Sequence, residues 1–319
     1  LALRLACGRG GPLPSRPIAN ASVAAALLAG AAMLAPVEPR ALVDRAEPRP
    51  ELRATFLDVG QGDATLLQLP GARAMLVDTG GLPGTAFDIG ERVIVPAALA
   101  LGVRRLDVLV VTHGDPDHIG GAASLLRALR PREIWEGVPV PPHPELARLR
   151  ELATRQGGGW RRVVPGDRLA FGPVEIVALH PPPPDWERQR VRNDDSIVLD
   201  VRYGDVSILL PGDIGAGVER ALAASLEPAA VRILKAAHHG SAGSTSGEWL
   251  AAARPAAVVF SSGRGNRYGH PSPVVLARVR RTGAAVFRTD EDGAIEVRTD
   301  GRAVRIEAAS GRRWSHEPR

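Results

Sequence analysis

The chain has 319 residues, of which 45% are hydrophobic and 24% charged, with a formal net charge of +5. That is the make-up of an ordinary globular protein with room for one large domain or two small ones, and it excludes a disordered or fibrous chain. The single cysteine, Cys7, excludes an internal disulfide framework and has no disulfide partner.

The basic residues are arginines except for Lys235, the one lysine. A modest arginine excess suits a polyanionic partner, but a coding bias gives the same picture, so charge alone decides little.

From the N-terminus, residues 1–52 separate from the rest. Ile18 to Val37 carries no charge and is rich in alanine, just long enough to cross a bilayer but only weakly apolar. A membrane helix, the apolar part of a signal peptide and a buried helix are the three readings of it. Arg4, Arg9 and Arg16 precede it and Arg40, Arg45 and Arg49 follow it, so charge does not orient it. Glu38 to Arg53 alternates charge and proline and reads as a linker. A domain over 53–310 and a basic tail over 311–319 complete the division.

Within the domain, strands are expected at Arg53–Val59, Thr65–Leu69 and Arg73–Val77, separated by Gly-rich turns. A helix over Ile94–Leu101 leads to a strand over Asp107–Val111 and a second helix over Ile119–Leu129. Ile134–Glu136 is a strand and His143–Thr154 a helix. Short strands follow at Val163, Leu169–Phe171 and Val174–Leu179, and Pro181 to Pro184 stiffens a surface loop.

The second half opens with a hairpin, Ser196–Tyr203 and Val206–Leu210, turned at Gly204-Asp205. Helices over Gly215–Leu226, Ser246–Ala253 and Pro273–Arg281 alternate with strands at Val231–Lys235, Ala257–Phe260 and Ala285–Phe287. Ile295–Val297 and Val304–Ile306 form a closing hairpin. This pattern predicts two sheets packed together with helix layers outside.

Chemistry concentrates where apolar strands end. After Val108–Val111 the chain reads Thr112-His113-Gly114-Asp115-Pro116-Asp117-His118. His113, Asp115, Asp117 and His118 are four potential ligands within six residues, and such a group repels itself unless a cation sits among them. Turn-forming Gly, Asp and Pro offer the alternative of a solvated turn. Asp78 closes a strand before Thr79-Gly80-Gly81, Asp213 closes another through Pro211-Gly212, and His238-His239-Gly240-Ser241 follows a third. Singly each is ambiguous, since Asp-Thr-Gly is often a turn and Asp213 could cap a helix. Jointly they suffice for two divalent ions.

In this order the chain resembles the metallo-β-lactamase-fold hydrolases, and among them the C-terminal domain of the ComEC family of competence DNA-uptake proteins. The resemblance is carried by Asp58 to Asp63, Val77 to Gly81, His113 to Gly121, Asn193 to Leu199, Leu210 to Ile214, Lys235 to Ser241 and Asn266 to Pro271, and it covers roughly residues 53–308.

The resemblance implies an α+β fold, an αββα sandwich, with a metal site at one edge. It implies that His113 and Asp115 hold one metal, Asp117 and His118 the other, and that Asp213 bridges them. His238 is expected to complete the second site with His239 nearer the substrate, the reverse order being open. Asp78 would orient a ligand histidine by a hydrogen bond. Asp117 would orient or deprotonate the attacking water. His270 would reach a phosphate oxygen or protonate the leaving group, its alternative being a solvated loop histidine. Asn193 and Ser241 are candidates for phosphate hydrogen bonds, each equally readable as a turn residue. Asp63 is expected to hold the first hairpin turn, and His180 to pack at a strand end or lie on the surface.

The chain departs from the superfamily pattern in two ways. Asp115 stands where most members carry histidine, and Asn193-Asp194-Asp195-Ser196 stands where most supply another. Oxygen in place of imidazole favours manganese over zinc and leaves the first metal short of ligands.

The expected function is a metal-dependent deoxyribonuclease acting during DNA uptake, attached to the channel region of a longer membrane protein and facing the extracytoplasmic side. The missing initiator Met fits such a fragment, and 18–37 would be its last membrane helix. A free-standing secreted hydrolase, a hydrolase of small phosphodiesters or esters, and a non-catalytic DNA-guiding domain are the alternatives.

Overall fold

Val108-Leu109-Val110-Val111 is buried at every position, the pattern of a parallel strand covered on both faces. It lies in a computed structural model that describes residues 50–81, 87–183 and 190–317. The apolar stretch 18–37, and with it the membrane expectation, lies outside the described residues. Among those described, no helix is long and apolar enough to cross a membrane.

In chain order the strands are β1 (Leu52–Phe56), β2 (Thr65–Leu69), β3 (Arg73–Val77), β4 (Val108–Val111), β5 (Glu133–Glu136), β6 (Gly159–Arg162), β7 (Arg168–Phe171) and β8 (Val174–His180). They continue as β9 (Val198–Tyr203), β10 (Val206–Leu210), β11 (Val231–Lys235), β12 (Ala257–Phe260), β13 (Ala285–Arg288), β14 (Ile295–Thr299), β15 (Val304–Ala308) and β16 (Arg313–His316). One sheet has nine strands in the order β16-β15-β14-β1-β2-β3-β4-β5-β6, and the other has seven, β13-β12-β11-β10-β9-β8-β7. The sheets therefore do not divide the chain into halves. β14 pairs antiparallel with β1, so the closing hairpin completes the N-terminal sheet.

Three apolar layers fix the sandwich. Phe56, Met75, Val110 and Trp135 from one sheet meet Val201, Ile208, Ile233 and Val259 from the other. The outer face of the first sheet packs Leu76, Leu109 and Ile134 against Leu125, Leu126, Leu146 and Leu149 of the Ala122–Leu129 and Pro144–Arg155 helices. On the outer face of the second, Leu209, Leu234 and Val258 meet Trp249, Leu250, Val275 and Val279 of the Gly247–Ala253 and Pro273–Arg281 helices. The architecture is the expected α+β sandwich of two mixed sheets between helices.

Three expectations are corrected. The helix over Ile119–Leu129 is two, Pro116–Ile119 and Ala122–Leu129. The chain between them presses on a neighbour: a Cβ on Gly121 would lie 2.5 Å from the Thr79 carbonyl oxygen. The strand expected at Val163 runs instead over β6, whose residues are half-buried or exposed. Residues 313–316, read as basic tail, pair with β15 as an edge strand. Both missed strands lie at sheet edges, where polar residues hide the alternation.

Candidate metal centre

Parallel pairing sets the site. β3 and β4 run parallel, as do β10, β11 and β12, so their C-terminal ends deliver loops to one edge of the sandwich. Asp78 follows β3, Thr112 to His118 follow β4, Asp213 follows β10 and His239 follows β11. Asp63 arrives from the turn between β1 and β2. His113, His118, His238, His239 and His270, five of the chain's eight histidines, lie at this edge.

The loops are locked by backbone contacts. Asp63 N–H donates to the Asp117 carbonyl at 3.2 Å, Gly80 N–H to the Asp63 carbonyl at 2.7 Å and Thr79 N–H to the His118 carbonyl at 2.7 Å. Gly62, at φ +133°, passes so close to Asp117 that an added Cβ would overlap its carbonyl oxygen. Any side chain there would push the two loops apart.

Asp63, His118, Asp213 and His239 meet at the centre, each offering one ligand atom, all within 4.8 Å of one another and all buried. His118 Nε2 and His239 Nε2 lie 3.2 and 3.3 Å from Asp213 Oδ2. His239 Nε2 also lies 3.4 Å from Asp117 Oδ2.

The opposite ring nitrogens fix the tautomers. His118 Nδ1–H donates to Asp78 Oδ2 at 2.8 Å, and Asp78 is itself held by the backbone N–H and hydroxyl of Thr112. His239 Nδ1–H donates to the Ser261 carbonyl at 3.0 Å. His113 Nδ1 faces the hydroxyls of Thr112 and Ser196 at 3.2 and 3.3 Å. Those hydroxyls already donate to Asp78 and to the Asn193 carbonyl, so His113 Nδ1 carries the proton. In its neutral form each of the three rings therefore turns an unprotonated Nε2 toward the centre.

These atoms have no hydrogen-bonding partner. His113 Nε2, His118 Nε2, His239 Nε2 and Asp213 Oδ1 are buried and unsatisfied, a costly arrangement unless something binds them. Charge points the same way. Asp63, Asp78 and Asp213 are buried with Asp117 beside them, and Lys235, buried and ion-paired with Asp63, is the one ammonium among them.

Burial disfavours charge on His118 and His239, yet Asp213 with Asp78, and Asp213 with Asp63, outweigh it and hold both imidazoles well above their usual value. Burial likewise opposes ionisation of Asp213, and the same two histidines overcome it and hold the carboxyl well below its ordinary range. The site thus recruits protons in place of a cation. Orphaned Nε2 atoms, mixed nitrogen and oxygen donors and excess negative charge together fit a divalent metal ion.

The paired histidines differ from expectation. His239, not His238, enters the four-residue cluster. Both stand at positive φ, 50° and 53°, and this left-handed turn sends the second ring inward. His238 Nε2 accepts from the Asn193 amide at 3.0 Å and lies 3.8 Å from Asp213. Asn193 is thus bonded to a histidine at the rim.

Asp63 also departs from expectation, because its carboxylate faces the cluster instead of the hairpin turn. The signal was Lys235: in a chain whose other strongly basic side chains are all arginine, one lysine three residues before His238 marks a place for a compact ammonium.

The place expected for the first metal is sparser. His113 Nε2 lies 3.5 Å from Asp115 Oδ2, whose side chain is 38% exposed. Asn193–Asp195 forms a single 3₁₀ turn beside it, and no imidazole comes from that segment. His180 is buried at the end of β8, with Nδ1 2.8 Å from the Ser196 carbonyl oxygen. His270 is half-buried, its ring 6.3 Å from that of His239 and 5.7 Å from that of His238. Ser241 is half-buried after the histidine turn, its N–H donating to the His238 carbonyl at 2.7 Å.

Comparison with known proteins identifies the family. Residues 57–264 match the metallo-beta-lactamase superfamily. ComE operon protein 3 of Bacillus subtilis (strain 168) is 32% identical over 258 residues, which are 77% of this chain and 33% of that protein. Competence protein ComA of Neisseria gonorrhoeae is 34% identical over 253 residues, 79% of this chain and 33% of that protein. The chain therefore spans about a third of the length of these relatives. Among solved structures, the metallo-beta-lactamase fold protein YhfI from Bacillus subtilis superposes with a TM-score of 0.50 at 13% identity, covering 83% of this chain and 100% of that one. The chain belongs to the metallo-beta-lactamase superfamily.

Proposed function

We propose that this metallo-β-lactamase domain is a metal-dependent nuclease that cleaves DNA during its uptake, as part of a ComEC-like competence system. The observation that carries the reading is the set of buried, unsatisfied Nε2 and carboxylate atoms at the strand ends. The similarity to a competence protein supports DNA as the substrate class. The rim fits a polyanion, since Arg264 and Arg267 are exposed beside the site and no acidic residue stands between Glu248 and Asp290.

His118, His239 and Asp213 would hold one divalent cation, with Asp117 at its open side and Asp63 behind, neutralised by Lys235. His113 and Asp115 would hold a second. The oxygen-rich donor set favours manganese, with zinc the alternative. When bound, such a cation supplies Lewis acidity, polarising a phosphoryl oxygen and making water acidic enough to attack phosphorus near neutral pH.

Asp117, 23% exposed at the side chain, orients the water and takes its proton at Oδ2. His270, facing His238 and His239 across the opening, donates to a phosphate oxygen or to the departing oxygen. Asp78 holds His118 in the required tautomer, and Asn193 and Ser241 line the approach. We place the domain beside a membrane channel region of a longer protein, on the extracytoplasmic side.

The test is cleavage of single- and double-stranded DNA by the purified chain with manganese, with zinc and with chelator. Metal-dependent cleavage lost in Asp117→Ala and Asp213→Ala is expected, and cleavage surviving both would sink the proposal. Hydrolysis of small phosphodiesters without DNA cleavage would favour a small-molecule enzyme. Binding without cleavage would favour a DNA-guiding domain, the reading to which the sparse surroundings of His113 lend weight.

A further inference from the structure

Aromatic rings are scarce in this chain, at 4% of residues, yet one of its two tyrosines stands half-exposed beside the metal centre. Tyr268 is 50% exposed. Its ring continues a ladder that starts at the cluster. His239 and His270 lie near-parallel, 27° apart with centroids at 6.3 Å. His270 and Tyr268 lie 25° apart with centroids at 5.8 Å. Rings of similar tilt thus lead from the metal-binding atoms to solvent.

The loop that presents Tyr268 is held by one side chain. The Asn266 amide donates to the carbonyls of Gly263 and His270, and its oxygen accepts from Tyr268 N–H at 3.2 Å and His270 N–H at 3.0 Å. Both ends of the ring pair are fixed before any ligand arrives, which lowers the ordering cost of binding. The exposed guanidinium of Arg267 lies over the Tyr268 ring, 5.0 Å from its centroid, with an N–H donating to the hydroxyl at 2.9 Å, and an incoming base would take its place on the ring. A flat π surface with an adjacent cation, close to a site for phosphoryl oxygens, is the arrangement that binds a single-stranded base together with its backbone.

We propose that Tyr268 is a stacking platform for a nucleobase flanking the phosphate at the metal centre, with Arg267 pairing to the backbone of the same strand. The proposal rests on the nuclease reading and names a subsite for it. Stacking accepts any base, so the site grips the strand without reading its sequence. It also requires that base to be unpaired, so frayed or single-stranded DNA is preferred over an intact duplex.

The test uses the full chain and two single-stranded oligodeoxynucleotides, one intact and one carrying abasic residues around the cleaved bond. Tyr268→Ala is expected to raise KM on the intact strand about tenfold, with kcat changed far less, and Tyr268→Phe to restore the wild-type value. The losses from Tyr268→Ala and from the abasic strand are not additive, because each removes one side of the same contact. Separately, the metal-free protein is titrated with a strand carrying 2-aminopurine, whose fluorescence is quenched when it stacks. Quenching by wild type and Tyr268→Phe but not by Tyr268→Ala supports the platform. Equal KM for wild type and Tyr268→Ala, with no difference in quenching, overturns it while leaving the nuclease reading intact. Quenching that depends on Tyr268 in a protein that cleaves no DNA supports the platform and removes the nuclease.

Discussion

The two sides of the metal centre are built differently. On the inner side, His118, His239 and Asp213 are buried, and the two rings are each held from behind by a carboxylate or a carbonyl. On the outer side, His113 is held by hydroxyls and its neighbour Asp115 is partly in solvent. Affinity for a cation depends on how many donors are fixed in advance and how far water is excluded. On that ground the inner side is the better prepared of the two to hold a cation.

The largest expected effect comes from breaking the inner side. His118→Ala or Asp213→Ala should weaken binding of the inner divalent ion by more than a hundredfold in calorimetric titration, since loss of a residue behind a ligand alone costs about 10–100-fold. Lys235→Met should leave the buried Asp63 carboxylate unneutralised and destabilise the metal-free fold by about 3–5 kcal/mol in denaturant unfolding. A change below about 1 kcal/mol would mean that Asp63 is not paired in solution.

Asp78→Asn keeps the shape but loses the carboxylate behind His118, and should cost about 10–100-fold in metal affinity. His113→Ala should weaken that inner ion less than tenfold, and equal losses from His113→Ala and His118→Ala would erase the contrast between the sides.

The smallest effect is one of pH. His118 and His239 have raised values in the metal-free fold. Their stabilising charge is fully present below the unfolded value near 6.5 and is lost as pH rises through the folded values. Asp213 is lowered, so its contribution is present above the unfolded carboxylate range and is lost as pH falls through the folded value. The melting temperature of metal-free protein should therefore decline above neutral pH, and bound metal should flatten that decline because it replaces the protons.

Much of this was readable from residue types. Continuous apolar runs such as Val108–Val111 located the parallel strands, and the polar residues closing them located the site edge. What failed depended on contacts distant in sequence. Asp63 reads as a turn residue until β11 brings Lys235 beside it, and no local pattern separates His238 from His239, because two residues at positive φ decide which ring turns inward. The break at Gly120-Gly121 likewise reflects the Thr79 carbonyl, about forty residues earlier. Edge strands β6 and β16 carry arginine and glycine where a pattern reader expects alternation.

The pairing of β1 with β14 has a consequence for synthesis. Until residues 295–299 have left the ribosome, β1 exposes an unpaired edge, and the first sheet cannot be completed. The metal centre likewise joins Asp63 to residues from 213 to 239. Domain closure and assembly of the candidate metal centre therefore both wait on residues far from β1 in sequence.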